Sequence, residues 1–446
     1  MKKITIKLIA LLLTLAAVFT LVACQSNGPA KDGTLTDEQI EDLKTGKQTK
    51  VSGTIKFSYS GATTEEARGA ANAFIQAFNE AYPNVKVEKD YSASDPSTRI
   101  SSGDIGDVFY FAEVSAYNYA ITQNALMPLE YYLDALNIDR GDVYSGIFDA
   151  GMINNHLYYV ARDFNQLLFI YNADEVNSKG FSAQVYPDWT WQEFLTLCEQ
   201  LTDDDYIGAQ LNLAYAPQFI PFLEAYEGRG HWFSLKDKKI DITSGETLRA
   251  LNEVIAASQQ GYIDLMLGTG DFGGKEPVFK YLVYPTIIGE AKTYDSKKVN
   301  WDLINLPLFD HPSFGAGSSG WGVYNRTNNP DAAAAFALFF YTPEGQIAFN
   351  GQDGGSVPLL ASLKDDDFWK HPNDEWSDKN WDACVYLAED AATVGQFNCL
   401  LPPEIAEVFS QSALQSVLAN AFNGKTSLED GMKTLETKAN DKWSKI

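Results

Sequence analysis

Residues 54–88 contain a strand–helix–strand pattern, the feature that most restricts how this 446-residue chain can fold. Apolar and polar side chains alternate over residues 54–59, as in a half-buried strand. From Thr64, apolar side chains recur at helical spacing until Pro83, which predicts an amphipathic helix. Alternation returns at residues 84–88. This order of elements indicates two neighbouring strands of an α/β sheet, connected by a helix.

Short apolar runs with similar boundaries recur downstream, at residues 107–111, 167–171 and 303–307. The run at 107–111 is typical of a buried parallel strand, the run at 167–171 predicts a strong strand, and the run at 303–307 predicts a weaker one that stops at Pro307. Helical patterns follow after Asn329 and again over residues 405–424, where apolar side chains repeat every four residues. The sequence therefore predicts α/β structure along the whole chain after the first 50 residues, with no internal repeat.

The first 24 residues have the order of a secretion signal. Three lysines precede an apolar run at residues 8–21, which is short for a membrane span. The run ends in Leu-Val-Ala-Cys at residues 21–24, which resembles the lipobox of bacterial lipoproteins. That resemblance implies removal of residues 1–23 and a diacylglyceryl group on Cys24. Two acyl chains anchor a protein stably, since each buried CH₂ contributes about 0.8 kcal/mol. An ordinary secretion signal is the alternative.

Residues 24–50 are polar and contain no aromatic side chain. Such a composition buries too little apolar surface to order itself. We therefore expect a flexible tether that spans roughly 25–30 Å and holds the folded body away from the membrane. Val51 begins the folded part.

The chain is acidic, with 59 acidic and 34 basic residues and a net charge of −25. Loss of the three lysines in residues 1–23 lowers the charge to −28. A protein with this charge repels nucleic acid and anionic surfaces, so we expect no nucleic-acid partner. The 423 residues that remain are long for one core and predict two or three domains.

The sequence contains no recognisable metal or cofactor motif. Cys198, Cys384 and Cys399 have neither C-x-x-C nor Cys/His metal spacing, so buried thiols are expected. A Cys384–Cys399 bridge stays open for an exported protein. The four histidines are scattered, without H-E-x-x-H or EF-hand spacing. Residues 268–273 fit G-x-G-x-x-G but lead into glycine and proline instead of a helix, so no dinucleotide is expected.

Several stretches match, in order, motifs of one protein family. Residues 77–87 resemble "AF-x-x-x-(Y/N)-P-x-(I/V)-x-V", residues 157–172 "Y-x-x-P … L-x-Y-N", residues 189–194 "T-W-x-E-F" and residues 355–358 "G-x-x-P". Together they resemble the bacterial extracellular solute-binding proteins of the carbohydrate type, family 1, which supply ABC importers. Residues 155–161 depart from the family's "G-K-L-Y-A-(V/I)-P", which leaves the solute open.

The resemblance implies an α/β, two-lobe, periplasmic-binding-protein-like (type II) fold with hinge crossings and a ligand cleft between the lobes. Ligand that touches both lobes favours the closed state. Lobe 1 would comprise residues 51–163 and 304–340. Lobe 2 would comprise residues 164–303 and 341–446. The crossings would lie near residues 160–166, 303–308 and 340.

A carbohydrate site needs aromatic rings for C–H faces and polar side chains for hydroxyls. In open α/β sheets such residues lie beyond the carboxyl ends of strands. The candidates in those positions are Tyr59, Tyr110, Phe111, Glu113, Arg162, Asp163, Asn165, Asn212, Tyr215, Gln218, Trp232, Tyr284 and Trp321. Core packing is the alternative for each ring. For Arg162 the alternative is an ion pair with Asp163 that fixes the hinge.

Trp189 and Trp191 also look like a sugar platform, but their neighbours favour another interpretation. Thr190 and Glu193 have the spacing of a capping box, and Trp189 and Phe194 that of a hydrophobic staple. We therefore expect this stretch to begin a helix instead of binding ligand.

These observations predict a monomeric, lipid-anchored receptor that captures a carbohydrate, in particular an oligosaccharide, and delivers it to an ABC permease. No covalent chemistry, cofactor or metal is expected. Alternatives are a receptor for another neutral or cationic solute (a peptide or polyamine), a surface polysaccharide-acting enzyme, or a scaffold that has lost transport. Nothing in the sequence singles out two acids as a glycosidase pair.

The lipobox generates a first prediction. Replacing Cys24 with alanine removes the acylated thiol, so the variant is expected in the soluble fraction after cell fractionation while the wild type sediments with membranes. Retention of Cys24→Ala on membranes at the wild-type level would refute lipid anchoring.

Overall fold

A computed structural model describes residues 32–268, 272–370, 374–394 and 397–446. The predicted signal peptide, Cys24 and the tether up to residue 31 lie outside the described residues. So do residues 269–271 of the glycine-rich stretch and His371.

The described chain alternates between helices and strands. The helices are α1 (Asp37–Lys50), α2 (Glu65–Ala81), α3 (Pro96–Ser102), α4 (Glu130–Ala135), α5 (Ser145–Ala150), α6 (Ala173–Ser178), α7 (Trp191–Leu201), α8 (Ala216–Glu224), α9 (Arg249–Gln259), α10 (Tyr284–Lys297), α11 (Pro330–Leu338), α12 (Pro343–Asn350), α13 (Ala388–Ala391), α14 (Phe397–Leu400), α15 (Pro403–Ala406), α16 (Gln411–Phe422) and α17 (Leu428–Trp443). The strands are β1 (Gly53–Ser58), β2 (Val85–Asp90), β3 (Val108–Ala112), β4 (Met152–Ile153), β5 (His156–Leu157), β6 (Val160–Ala161), β7 (Asn165–Gln166), β8 (Leu168–Asn172), β9 (Tyr206–Gln210), β10 (Phe233–Ser234), β11 (Lys239–Ile240), β12 (Ile263–Asp264), β13 (Glu276–Leu282), β14 (Trp301–Asn305), β15 (Phe314–Gly317), β16 (Ser319–Val323) and β17 (Ala392–Val394).

The predicted strand–helix–strand unit forms the start of the first sheet. Strands β1 and β2 pair in parallel from Gly53 opposite Val85 to Ser58 opposite Asp90. Helix α2 connects them and begins where the Thr64 side chain accepts a hydrogen bond from the backbone nitrogen of Ala67 (3.2 Å). The sheet has the order β2-β1-β3-β16-β6, in which β3 is parallel to β1 and β16 is antiparallel to β3.

A second five-stranded sheet has the order β12-β9-β13-β8-β14. Strands β12, β9 and β13 are parallel, whereas β8 is antiparallel to both β13 and β14. In each sheet the antiparallel strand is therefore the fourth, with β16 between β3 and β6 and β8 between β13 and β14. The α/β prediction is confirmed.

Three short strands cross between the two sheets. The chain leaves the first sheet through β7 and returns from the second through β15, and these two strands pair with each other. Strand β17 pairs in parallel with β15. A Cβ atom at Gly315 would lie 1.5 Å from the carbonyl oxygen of Pro217, so this part of the crossing requires glycine.

The expected lobe boundaries need two corrections. The second crossing strand is β15, further along the chain than residues 303–308, and the third is β17 instead of residue 340. Helix α12, which the sequence assigned to lobe 2, packs on α2 and places the Phe349 ring against Phe74 and Phe340 in lobe 1. An apolar helix face shows that a helix is packed but not which lobe it packs on.

The expected tether also differs from the structure in its second half. Residues 37–50 form α1, with a capping box between Thr36 and Gln39. Helix α1 contacts α4, and Leu43 is buried in the core of the first lobe. Buried Leu43, with Leu35 and Ile40 partly buried beside it, and a capping box thus order a segment whose average composition is polar.

The start of α7 matches the sequence interpretation. The Thr190 side chain accepts a hydrogen bond from the backbone nitrogen of Glu193 (3.2 Å), and the Glu193 carboxylate accepts one from the backbone nitrogen of Thr190 (2.8 Å). The rings of Trp189 and Phe194 lie 5.4 Å apart, as in a hydrophobic staple. Both rings, like that of Trp191, are buried in the core of lobe 2. The capping-box prediction is confirmed.

Three further sequence features can be compared with the described residues. Cys384 and Cys399 are not joined to each other, so the bridge that stayed open is not formed, and Cys198 and Cys384 are buried. Within the described ranges, no helix has the length and apolar character needed to span a membrane. No group of three His, Cys, Asp or Glu side chains suited to a metal ion occurs there either.

The cap of α7 gives a second prediction. Thr190→Ala removes the side-chain acceptor of the capping box and is expected to destabilise the protein by about 1 kcal/mol. The measurement is the midpoint of urea unfolding followed by tryptophan fluorescence.

Thr196→Ala is the matched control, since Thr196 is exposed on the same helix and bonds only the Gln192 carbonyl oxygen. Alanine has the higher helix propensity, so this variant should lose no stability. Equal losses for both variants would show that the cap contributes nothing specific.

Candidate functional site

A cavity of about 310 Å³ lies between the two lobes and is partly open to solvent. This volume lies at the lower end of the range of about 300–1,000 Å³ typical of small-molecule sites. Lobe 1 contributes the residues after β3 and those around the β4–β5 hairpin, and lobe 2 contributes the β10–β11 turn and the segment around α14. The lining residues are Glu113, Ala116, Tyr117, Ala150, Met152, Ile153, Asn154, Leu235, Lys238, Asn398, Cys399, Leu400, Leu401, Pro402 and Trp443.

A hairpin from each lobe forms part of the cavity wall. In lobe 1, Asn154 and Asn155 connect β4 to β5 with φ values of 51° and 66°. Asparagine tolerates this left-handed region, which a two-residue hairpin turn requires. In lobe 2, Lys238 reaches a φ of 50° in the turn between β10 and β11. These turns place Met152 and Ile153 on one side of the cavity and Leu235 on the other.

Glu113 is the acidic side chain of the cavity lining. It follows β3 and is 5% exposed. Burial raises the pKa of its carboxyl from an ordinary value of about 4.5 to about 8, and the nearby Asp163 charge contributes to the rise. Backbone N–H groups of Glu113 itself and of Ser318 oppose this increase. Near neutral pH the carboxyl therefore holds a proton and can donate a hydrogen bond.

Next to Glu113, Arg162 and Asp163 form the ion pair that the sequence left as an alternative to ligand contact. The Asp163 carboxylate accepts hydrogen bonds from the backbone nitrogen (2.5 Å) and hydroxyl (2.6 Å) of Ser319. The Arg162 guanidinium also donates to that hydroxyl (2.9 Å) and lies 5.2 Å from the centroid of the Phe349 ring. Both charges are thus paired with each other and fixed to the start of β16.

A group of tyrosines lies beside this ion pair. The rings of Tyr59 and Tyr110 are 4.9 Å apart, and Tyr91 packs at 6.4 Å from Tyr59. Burial raises the pKa of Tyr59 to about 12, although the Arg162 charge opposes the rise. Tyr59 is buried, whereas Tyr91 and Tyr110 are half-buried and present the accessible surface of the group.

The candidate residues at the crossing and in lobe 2 differ in burial and in hydrogen bonding. Tyr215 is half-buried at the start of α8, close enough to Glu113 for their charges to interact, and its backbone nitrogen bonds the Asn212 carbonyl oxygen (3.0 Å). Asn165 pairs with Gly317 in the crossing, and its buried Oδ1 has no hydrogen-bond partner among the described residues. Gln218 is 1% exposed, and neither polar atom of its amide has such a partner.

Four predicted aromatic contacts are corrected by the structure, because their rings fill cores. Trp321 lies among Phe57, Phe74 and Phe340, and its indole nitrogen donates to the Ala337 carbonyl oxygen (3.2 Å).

The other three rings are similar. Phe111 packs on Tyr119 and Tyr159, and Trp232 packs on Phe397 in lobe 2. The Tyr284 hydroxyl donates to the carbonyl oxygen of Trp369 (2.8 Å), under the segment that covers α10.

Of the predicted residues, Glu113 alone is in the cavity lining, and the other lining residues were missed. Tyr117 and Trp443 are its aromatic members, and most of the wall is aliphatic. The Asn-Asn pair at 154–155 was an available signal for a hairpin. The segment around α14 carried no such signal, because only the tertiary fold brings it to the turn after β3.

Two α/β lobes, three crossings and a cavity between the lobes define a two-lobe solute-binding protein. The family model described as bacterial extracellular solute-binding protein matches residues 73–375, more than half of the chain. The chain therefore belongs to this family, whose members are binding proteins that work outside the cytoplasm.

Solved structures support the fold. MalE, a sugar-binding protein from Xanthomonas citri, is 18% identical with a TM-score of 0.70, covering 88% of this chain and 98% of that one. The cyclic alpha-maltosyl-1,6-maltose binding protein from Arthrobacter globiformis is 16% identical with a TM-score of 0.69, covering 89% and 100%. A sugar transporter from Rhizobium etli in an open conformation is 19% identical with a TM-score of 0.67, covering 87% and 99%. No curated protein matches this chain.

The buried carboxyl of Glu113 gives a third prediction. Its folded-state pKa is raised, so between pH values of about 4.5 and 8 the unfolded chain releases a proton that the folded chain keeps. This costs stability as pH rises, by at most about 1.4 kcal/mol per pH unit. Glu113→Gln, which is neutral at every pH, should gain thermal stability relative to the wild type as pH increases from 5 to 8.

Differential scanning fluorimetry over this pH range measures the effect. Glu404→Gln is the control, because Glu404 is exposed. A stability difference between Glu113→Gln and the wild type that does not change with pH would contradict the proton uptake inferred for Glu113.

Proposed function

We propose that this protein is the receptor of an ABC importer and captures a carbohydrate in the cavity between its lobes. The observation that carries the proposal is the cavity itself, which is lined by residues of both lobes and lies beside the chain crossings. A solute bound there touches both lobes at once. Its binding energy therefore favours the closed state, so that closure of the lobes indicates that a solute is bound.

The chemistry of the cavity supports a neutral, hydroxyl-bearing solute. Glu113 can donate a hydrogen bond when protonated, and Tyr117, Asn154 and Asn398 add neutral polar groups. The protein is acidic, and Lys238 is the single basic side chain among the lining residues, so the cavity offers an anionic solute little compensating charge. The similar proteins described above as sugar-binding point in the same direction.

The proposal also covers the membrane anchor, the partner and the fate of the solute. A lipid on Cys24 would hold the receptor at the membrane, where it meets the permease as a monomer. The sugar would be released unchanged, because binding and closure require no bond to be broken.

Binding of a sugar panel to the purified protein tests this function. Mono- and oligosaccharides are screened by thermal shift, and a sugar that binds only the folded state raises the melting temperature as its concentration exceeds Kd. Asn398→Trp places a large ring in the cavity and should abolish the shift. Asn79→Trp, on the exposed face of α2, should leave the shift unchanged.

Two outcomes would refute the proposal. Recovery of shortened glycans after incubation would identify an enzyme. Saturable binding of peptides or polyamines, with no response to any sugar, would identify a receptor for another solute.

A further inference from the structure

Glu113 lies where the two lobes meet. It belongs to lobe 1 and begins a short helical turn, Glu113–Ser115, directly after β3. Helix α14 of lobe 2 lies against this turn, and Phe397 fixes that helix in the core of lobe 2. Glu113 lines the cavity, yet it is buried. Separation of the lobes moves α14 away from the turn, so part of the burial of Glu113 belongs to the closed state.

The charges around Glu113 do not compensate a negative charge on its carboxyl. The Asp163 charge opposes ionisation of Glu113, and the neighbouring Arg162 is already paired with Asp163. Lys238 of lobe 2 lines the same cavity, but its side chain is exposed to solvent, which screens its charge. An ionised Glu113 is therefore unfavourable while the lobes are closed.

The other titratable groups near Glu113 are the phenols of Tyr117, Tyr159 and Tyr215 and the thiol of Cys399. Phenols titrate near a pH of about 10. Burial raises the pKa of Tyr159 and of Tyr215 above that value. The phenols are therefore neutral near physiological pH, and the thiol is tested separately below.

We propose that closure of the two lobes is coupled to the uptake of a proton by Glu113, so that the closed state becomes less favourable as pH rises. The coupling concerns the movement of the lobes, and only its effect on sugar affinity rests on the proposed function. Glu113 thereby makes the receptor sensitive to pH.

The sign of the effect follows from the two states of Glu113. In the closed protein, burial raises the pKa of the carboxyl to about 8, whereas a solvated glutamate has a value of about 4.5. Between these pH values the closed protein holds a proton that the open protein releases. The ratio of closed to open protein therefore falls as pH rises, by at most about tenfold per pH unit. Below and above this range both states carry the same charge, and the dependence ends.

Small-angle X-ray scattering of the protein without ligand tests the coupling. The closed-to-open ratio of the wild type should fall by at least about tenfold between a pH of about 5.5 and one of about 7.5, which increases the radius of gyration. Glu113→Gln cannot ionise and should have the same radius at both pH values. Glu113→Met is a second variant of similar size that cannot ionise, and it should behave in the same way.

Two control variants keep Glu113 and should respond to pH as the wild type does. Glu404→Gln removes an exposed acid of lobe 2. Cys399→Ser removes the thiol that lines the cavity. If the response disappears in Cys399→Ser and persists in Glu113→Gln, the thiol is the titrating group and the inference is wrong.

Binding of maltotriose, measured by calorimetry in two buffers of different ionisation enthalpy, extends the test to the solute. Near neutral pH the wild type should take up as much as one proton per sugar bound, and Glu113→Gln should take up none.

The possible failures are distinguishable. A wild-type radius of gyration that does not change with pH, or a change of equal size in Glu113→Gln, would overturn the coupling and leave the carbohydrate receptor intact. If no sugar binds at either pH while the radius depends on pH only when Glu113 is present, the carbohydrate assignment is wrong and the coupling is supported.

Discussion

The structure depends on the pairing of β7 with β15, the two strands that carry the chain between the lobes in opposite directions. Ala316 lies opposite Gln166, and Gly317 lies opposite Asn165. Asp163 reinforces this crossing by accepting hydrogen bonds from the backbone and hydroxyl of Ser319, one residue into the strand that returns to the first sheet. The Asp163 carboxylate thereby joins the lobe 1 ends of the two crossing strands.

The same carboxylate sets the electrostatics of the cavity. Two buried charges are tolerated near the crossing because Arg162 and Asp163 neutralise each other and share Ser319. Among the described residues Glu113 forms no ion pair, so burial, together with the Asp163 charge, keeps its carboxyl protonated near neutral pH. Asp163 therefore has a structural role, whereas Glu113 is a neutral hydrogen-bond donor that faces the cavity. Movement of the lobes that changed the burial of Glu113 would also change its proton affinity.

Much of the fold could be predicted because it depends on patterns between residues that are close in the sequence. The alternation before and after α2, the Thr190–Glu193 cap and the Trp189–Phe194 staple each involve residues within a few positions of one another. The lobe that receives α12 could not be predicted, because its apolar face fits either core and only the contact of Phe349 with Trp321 decides between them. Helix α1 was missed for a related reason: composition averaged over residues 24–50 conceals a single buried leucine.

The residues of the site were harder to predict from the sequence than the fold was. The expectation that aromatic rings at strand ends bind the ligand led to Trp321 and Phe111. A large ring next to a sheet, however, stabilises the protein more when it is buried in the core than when it faces a solvated cleft. The cavity wall is instead formed by two hairpins and a short helix, whose aliphatic side chains carry no chemical signature in the sequence. They can be identified as a site only when the fold brings residues of both lobes around one cavity. Because residues of both lobes line the same space, the chemistry of the cavity belongs to neither lobe alone.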